Sequence, residues 1–279
     1  MFYNAREHTL YLQGQAWDYI TFGKGEKPLV MIQGLNTNGI HGSALLLAYM
    51  YRIFSKEFKV YLFERRKTIH NEITVKDMAD DIAMEMDALG ITNAAVLGVS
   101  QGGMIAQHLA IDRPDLVGRM VLAVTLSENN DTVKSVIEKW IVLTEKDDMK
   151  TLLTDMTSRM YSDLYIKRYK RFIPLLAILQ KPKDKERFIL LAKSCLTCNT
   201  YEELNKIQCP VLVIGGKQDR IIGDLASEKI AEKLSCEIHM YENLGHAAYE
   251  EAKDFNQRVY EFLKSRYHKK QKDGFINEI

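Results

Sequence analysis

The sequence of 279 residues lacks the long hydrophobic runs that mark membrane and exported proteins. Its densest apolar run, 44–50, ends before Arg52, far short of the roughly 20 residues that a membrane-spanning helix needs. The first residues carry mixed charge and no apolar stretch followed by small residues, so we expect no secretory signal peptide. These absences predict a soluble chain without membrane insertion.

Cysteine is scarce, which excludes a disulfide-stapled scaffold. The four cysteines are Cys195, Cys198, Cys209 and Cys236. So few thiols in a chain of this length favour a reduced, cytoplasmic setting. The pair Cys195 and Cys198 has the spacing of redox and zinc motifs, but no second pair and no paired histidines lie near it in the sequence. We therefore expect buried thiols and no metal.

Neither sign of charge is in excess. The chain has 38 Lys plus Arg against 37 Asp plus Glu, which provides no general attraction to nucleic acid or anionic lipid. Residues 128–199 are locally basic, with 14 basic against 10 acidic residues. A solvated helix surface is the favoured interpretation of this excess, and attraction of an anionic acyl substrate is the alternative.

The chain does have the material for a large folded core, with 46% hydrophobic and 27% charged residues. Short apolar segments typical of strands alternate with segments whose apolar residues recur every three or four positions. The predicted strands are 16–22, 29–33, 59–63, 94–99, 120–125, 211–215 and 237–241. The helices predicted between them are 43–54, 74–89, 102–111, 224–234 and 250–266. This alternation predicts an α/β fold with a mostly parallel central sheet.

The alternation stops at 128–199, where helical patterns occur without a convincing strand. The predicted helices here are 132–144, 149–160, 164–179 and 185–195, with Pro174 expected to kink or split the third. We predict a discontinuous core of 1–127 and 200–270, a helical cap of 128–199 inserted into it, and a tail of 271–279.

The stretch from Gly98 to Gly102 reads Gly-Val-Ser-Gln-Gly and joins a predicted strand to a predicted helix. Such a turn holds Ser100 in a strained conformation with its hydroxyl exposed above the sheet, and its glycines let neighbouring elements approach closely. The N–H of Gln101 lies at the helix N-terminus, where developing negative charge is favoured. The motif therefore predicts a serine nucleophile.

A serine nucleophile needs a histidine base and a carboxylate that orients the base. His246 follows the predicted strand 237–241, and Asp219 follows the predicted strand 211–215, so both lie at carboxyl ends where open α/β sheets bind ligands. Glu128, after the preceding strand, is the alternative acid. We expect His41, His108 and His239 to be surface or packing residues. The chain order Ser100, Asp219, His246 is that of α/β-hydrolases.

With these motifs, the sequence resembles the capped branch of the α/β-hydrolase superfamily over nearly the whole core. Three signatures carry the resemblance, namely Gly98 to Gly102, Cys209 to Asp219 and Gly245-His246. The resemblance implies an α/β-hydrolase fold and a Ser-His-Asp triad. Members commonly have a His-Gly pair after the first central strand, where this chain has Gln33-Gly34. The oxyanion donor in this loop is a backbone N–H, which does not depend on the side chain that replaces the histidine. The resemblance therefore implies an oxyanion hole made of the backbone N–H of Leu35 and that of Gln101.

The combined prediction is a serine hydrolase that acts on a small or medium carboxylic ester, without metal or cofactor. Lactone, thioester, carbon–carbon bond and proline-peptide hydrolysis remain open on the same fold, as does a ligand receptor with little turnover. Gln33, Asn36 and Trp140 are candidates to line the pocket. We expect a small-molecule acyl substrate and no nucleic-acid partner, and a homodimer stays open.

Overall fold

The computed structural model describes residues 2–69, 72–172 and 181–265. Within them, one sheet has the strand order β1-β2-β4-β3-β5-β6-β7-β8. The strands are β1 (Arg6–Leu12), β2 (Gln15–Phe22), β3 (Lys27–Ile32), β4 (Phe58–Phe63), β5 (Ala94–Val99), β6 (Val117–Ala123), β7 (Val211–Gly216) and β8 (Glu237–Tyr241). The pairs β1–β2 and β2–β4 are antiparallel, and the remaining neighbours are parallel. The mostly parallel α/β architecture expected from the sequence is confirmed.

Helices cover both faces of this sheet. The helices within the described residues are α1 (Ala44–Met50), α2 (Val75–Ala88), α3 (Gln101–Asp112), α4 (Asp131–Glu145), α5 (Met149–Met160), α6 (Asp163–Tyr169), α7 (Lys185–Cys195), α8 (Ala226–Leu234), α9 (Ala248–Glu251) and α10 (Phe255–Lys264). Alternate side chains of β3 enter two separate cores: Val30 belongs to the core that includes residues of α2, α3 and α8, whereas Leu29 belongs to the core that includes residues of α1 and α10. Burial on both faces explains the continuous apolar runs of the central strands.

Several boundaries differ from the sequence-based prediction. The predicted helix 43–54 is α1 followed by a 3-10 turn at Arg52–Lys56, and the predicted helix 250–266 is divided into α9 and α10. The second break lies at Ala252, whose ψ of 117° is extended and ends α9. Strand β1 was not predicted. The predicted kink at Pro174, the C-terminal half of predicted helix 164–179 and the tail of 271–279 lie outside the described residues.

Residues 128–199, called the helical segment below, connect β6 to β7. Glu128 and Asn199 form an isolated antiparallel bridge, which brings the two ends of the helical segment together. Asn130, Asp148 and Asp184 cap its helices α4, α5 and α7, each accepting a backbone N–H in the first turn. Among the described residues, no helix is both long and apolar enough to span a bilayer.

The sheet order places the chain reversal beside β3, because β4 lies on one side of it and β5 on the other. Loops that leave the carboxyl ends of parallel strands at such a point enclose a crevice. The loops after β3, β5, β7 and β8 therefore meet at one edge of the sheet, where the candidate residues lie.

Candidate active site

Ser100 occupies a sharp turn between β5 and α3. Its φ of 54° and ψ of −119° are unfavourable for a residue with a side chain, so the turn stores strain. A Cβ at Gly102 would lie 2.0 Å from the carbonyl oxygen of Ile32, and a Cβ at Gly98 would lie 2.5 Å from that of Gly102. Both positions therefore require glycine, as the sequence motif predicts.

His246 and Asp219 converge on this serine. The Oγ of Ser100 lies 2.9 Å from His246 Nε2, and His246 Nδ1 lies 2.8 Å from Asp219 Oδ2. The other carboxylate oxygen of Asp219 accepts the N–H groups of Ile221 at 2.9 Å and Ile222 at 3.0 Å. The hydroxyl can thus donate to Nε2 while Nδ1–H donates to a carboxylate that is itself fixed. Asp219 is 5% and His246 4% exposed, so little water competes for these bonds.

Two backbone N–H groups flank the serine. Leu35 belongs to the loop after β3, and Gln101 is the first residue of α3. No acceptor within the described ranges takes a hydrogen bond from either N–H. The loop approaches the turn so closely that a Cβ at Gly34 would lie 3.2 Å from the Cβ of Ser100. The structure therefore brings the five predicted site residues together at one edge of the sheet.

A narrow cavity of about 50 Å³ lies over Ser100 and His246. Its other walls are mostly apolar side chains, from Met104, Val133, Ile137, Trp140, Met156, Met160, Ile221 and Ile222. Trp140 thus lines the cavity as expected, and its indole N–H donates to Asp155 at 2.9 Å. Most of these side chains come from α4 and α5, so the helical segment forms the roof of the cavity.

Gln33 and Asn36 lie on a different surface. They line a neighbouring cleft of about 660 Å³, which shares Gly34, Leu35 and Tyr249 with the narrow cavity. The amide nitrogen of Asn36 lies 3.2 Å from Glu64 Oε2. Neither side chain is part of the cavity wall at Ser100, and among the described residues the two spaces share the loop after β3 and Tyr249.

Of the other candidates, Cys195 is part of the cavity wall over Ser100, whereas Glu128, His108 and Cys198 are not. The carboxylate of Glu128 binds Lys229 at 3.2 Å on the surface, not His246. His108 is a residue of α3, and burial of its ring lowers the pKa of the imidazole. Burial raises the pKa of Cys195 to about 11 and of Cys198 to about 12. The described residues include no group of three or more His, Cys, Asp or Glu side chains arranged to hold a metal ion.

Sequence reasoning missed a buried polar group behind the oxyanion segments. Arg65, two residues beyond β4, donates through Nη2 to the side-chain oxygen of Gln101 at 3.0 Å and to the carbonyl oxygen of Gln33. The sequence motif points to Gln101 only through its backbone N–H, and no motif points to Arg65. The available signal was the charged run Glu64-Arg65-Arg66, which follows a buried strand at its carboxyl end.

Comparisons with known proteins identify similar chains. A family model described as alpha/beta hydrolase fold matches residues 27–150. The 2-hydroxy-6-oxo-6-phenylhexa-2,4-dienoate hydrolase of Burkholderia cepacia is 27% identical over 218 residues, 75% of this chain and 73% of that protein. The 3-oxoadipate enol-lactonase 2 of Acinetobacter baylyi is 23% identical over 222 residues, 76% of this chain and 79% of that protein.

A solved structure extends the comparison to nearly the whole chain. MGS-M2, an alpha/beta hydrolase enzyme from a Medee basin deep-sea metagenome library, has a TM-score of 0.83 at 21% identity. The match covers 95% of this chain and 100% of MGS-M2. The fold expected from the sequence motifs is thereby confirmed.

Proposed function

Because the chain has the α/β-hydrolase fold, we propose that it is a serine hydrolase that cleaves small or medium carboxylic esters. The observation that carries the proposal is the continuous hydrogen-bonded series from Ser100 through His246 to Asp219. Beside it lie two backbone N–H groups that have no acceptor among the described residues. A nucleophile, a base, an orienting carboxylate and an anion site are the parts that acyl transfer needs.

The reaction proceeds in two halves. Ser100 Oγ attacks the ester carbonyl while His246 Nε2 takes the hydroxyl proton, and Asp219 stabilises the imidazolium that forms. The tetrahedral intermediate collapses when His246 returns the proton to the departing alcohol, which leaves an acyl group on Ser100. A water molecule then attacks this acyl group while His246 takes its proton, and His246 returns the proton to Ser100 Oγ as the bond to the serine breaks and the carboxylic acid leaves. The steps require no metal or cofactor.

The N–H groups of Leu35 and Gln101 hold the oxygen that becomes negative in both halves. In comparable enzymes, one such donor contributes about 3–4 kcal/mol to the stability of the transition state. The donors are set in place before the reaction, so the protein does not reorganise when the charge appears.

The cavity over Ser100 supports a short apolar acyl group. Its volume of about 50 Å³ is far below the roughly 300–1,000 Å³ of pockets for drug-sized ligands. The neighbouring cleft of about 660 Å³ has room for a larger alcohol, which would contact Gln33 and Asn36. In this arrangement the helical segment acts as the cap that covers the acyl group, and the ester bond lies beside Leu35, where the two spaces meet.

A lactone is the second candidate substrate. It is an internal ester, so the same steps open it, and one relative is named as an enol-lactonase. The distinction rests on the leaving group, which stays attached to the acyl chain in a lactone and departs in an open ester. One substrate series therefore separates the two.

The test is steady-state hydrolysis of nitrophenyl esters from acetate to octanoate, alongside lactones of similar size. We expect activity on short acyl esters and its loss in Ser100→Ala. Preference for lactones over every open ester would select the second candidate. Absence of turnover on all of them, with ligand-dependent stabilisation that persists in Ser100→Ala, would refute the enzyme and favour a ligand receptor.

A further inference from the structure

We propose that Arg65 is a positioning residue that aligns the two N–H groups of the oxyanion hole. This inference rests on the proposed function, because it assigns a role in stabilising the oxyanion formed at Ser100. Arg65 does not line the cavity over the serine. It acts through the two segments that do.

The first segment is the loop after β3. The Nη2 group of Arg65 donates to the carbonyl oxygen of Gln33 and, at 3.4 Å, to that of Gly34. The carbonyl of Gly34 belongs to the same peptide unit as the N–H of Leu35. A peptide unit is planar, and in the trans form its C=O and N–H point in opposite directions. The guanidinium holds these carbonyls on one side of the loop. The N–H of Leu35 therefore points to the opposite side of the loop.

The second segment is the start of α3. The same Nη2 group lies 3.0 Å from Oε1 of Gln101. The amide nitrogen of this glutamine donates to the carbonyl oxygen of Leu191 at 2.7 Å and to Ser194 Oγ at 3.0 Å, both on α7. Gln101 is thus held at both ends of its side-chain amide. One guanidinium nitrogen thereby links the two segments whose N–H groups must converge on a single oxygen.

The burial of Arg65 argues against a role in stability alone. Its side chain is 3% exposed, and desolvation lowers the pKa of the guanidinium. An arginine buried to stabilise a fold is expected to satisfy its donors with paired carboxylates. Here Nε and Nη1 have no hydrogen-bond partner among the described residues. Every hydrogen bond that the guanidinium makes within these residues goes to Gln33, Gly34 or Gln101.

Arg66 provides a matched control. It neighbours Arg65 in the chain, but its guanidinium binds the carboxylate of Asp81 through two bonds of 2.7 and 2.6 Å. Within the part of the chain that the structure describes, none of its side-chain hydrogen bonds reaches the oxyanion segments. Replacement of Arg66 therefore removes a half-buried arginine and its ion pair without disturbing the alignment of the N–H groups.

The experiment compares Arg65→Met, Arg65→Lys and Arg66→Met with the wild-type protein on a nitrophenyl ester that the wild type hydrolyses. Small misalignments of reacting groups are costly, so we expect kcat to fall about tenfold to hundredfold in Arg65→Met with KM changed less than about twofold. Affinity for a trifluoromethyl ketone, which forms an oxyanion on the serine, should fall by the same factor. Arg65→Lys should recover part of both losses, and Arg66→Met should keep kcat within about twofold even if it unfolds at a lower temperature.

The inference is overturned if folded Arg65→Met keeps kcat and trifluoromethyl ketone affinity within about twofold of wild type. If Arg65→Met does not fold, Gln101→Met decides, since it removes the Oε1 acceptor but keeps the backbone N–H. If kcat of Gln101→Met is at least fivefold below that of wild type at unchanged KM, the inference is supported. A smaller loss overturns it. A wild-type protein that hydrolyses none of the esters would instead refute the proposed function, so the two failures are distinguishable.

Discussion

Replacement of Asp219 by asparagine tests the proposed proton transfer with almost no change of shape. The two oxygens of Asp219 have different partners, because Oδ1 accepts two backbone N–H groups and Oδ2 accepts His246 Nδ1–H. An asparagine NH2 cannot face the N–H groups of Ile221 and Ile222, so the amide oxygen must occupy the Oδ1 position. The NH2 group then faces His246.

This orientation forces the wrong tautomer on the histidine. A ring nitrogen that faces an NH2 group must be an acceptor, so the proton of His246 moves from Nδ1 to Nε2. Nε2 then cannot take the proton of Ser100, from which it is separated by 2.9 Å. In a serine protease, the equivalent change lowers kcat about 10⁴-fold, which corresponds to ~5.4 kcal/mol of lost transition-state stabilisation.

The assay is kcat on a short nitrophenyl ester, with thermal unfolding to show that the variant is folded. Glu128→Gln is the control, because Glu128 was the other candidate acid and its carboxylate binds Lys229. We expect that variant to keep kcat within about twofold. A loss of less than tenfold in folded Asp219→Asn, or an equal loss in Glu128→Gln, would refute the assignment of Asp219.

Three further predictions follow from strain, burial and cavity shape. Ser100→Gly should exceed Ser100→Ala in unfolding free energy by about 1 kcal/mol, because glycine relieves the strain at φ 54°; urea titration measures this, and a less stable glycine variant would contradict it. Burial raises the pKa of Cys198 from 9.0 to about 12, so the neutral thiol stabilises the fold fully below pH 9 and this contribution is lost as pH rises towards 12. Between about pH 8 and pH 10 the free energy of unfolding should fall by about 1.4 kcal/mol more in wild type than in Cys198→Ala. Parallel pH profiles of the unfolding free energy in the two proteins would contradict this. Ile137→Ala should enlarge the cavity over the serine and raise kcat/KM for butyrate relative to acetate at least about tenfold, whereas an unchanged ratio would place the acyl group elsewhere.

The sequence was sufficient to predict those structural features that depend on residues close together in the chain. The turn at Ser100 depends on Gly98 and Gly102, which lie within two residues of it, and the motif therefore predicted the turn. Helices α5 and α7 have the predicted bounds, and Asp148 and Asp184 cap them. In both cases the determining residues are close in the chain, so their pattern is visible without the fold.

The features that sequence reasoning missed depend on distant contacts or weak patterns. Strand β1 is an edge strand with mixed exposure, and its pairing with β2 depends on a two-residue turn at Gln13 and Gly14, both with positive φ. Arg65 lies more than 30 positions from both Gln33 and Gln101, and no spacing rule joins these residues. The size of the cavity likewise cannot be predicted from the sequence pattern, because it depends on how α4 and α5 pack over the sheet.

The most direct test of the central claim is covalent labelling with a fluorophosphonate, followed by tandem mass spectrometry of the digested protein. The probe reacts with a serine whose hydroxyl is activated by a histidine. We predict one phosphonyl group per chain, on Ser100, and none in Ser100→Ala. A wild-type protein that stays unmodified under conditions that fully label a known serine esterase, or that carries the group on another residue, would contradict the proposed mechanism.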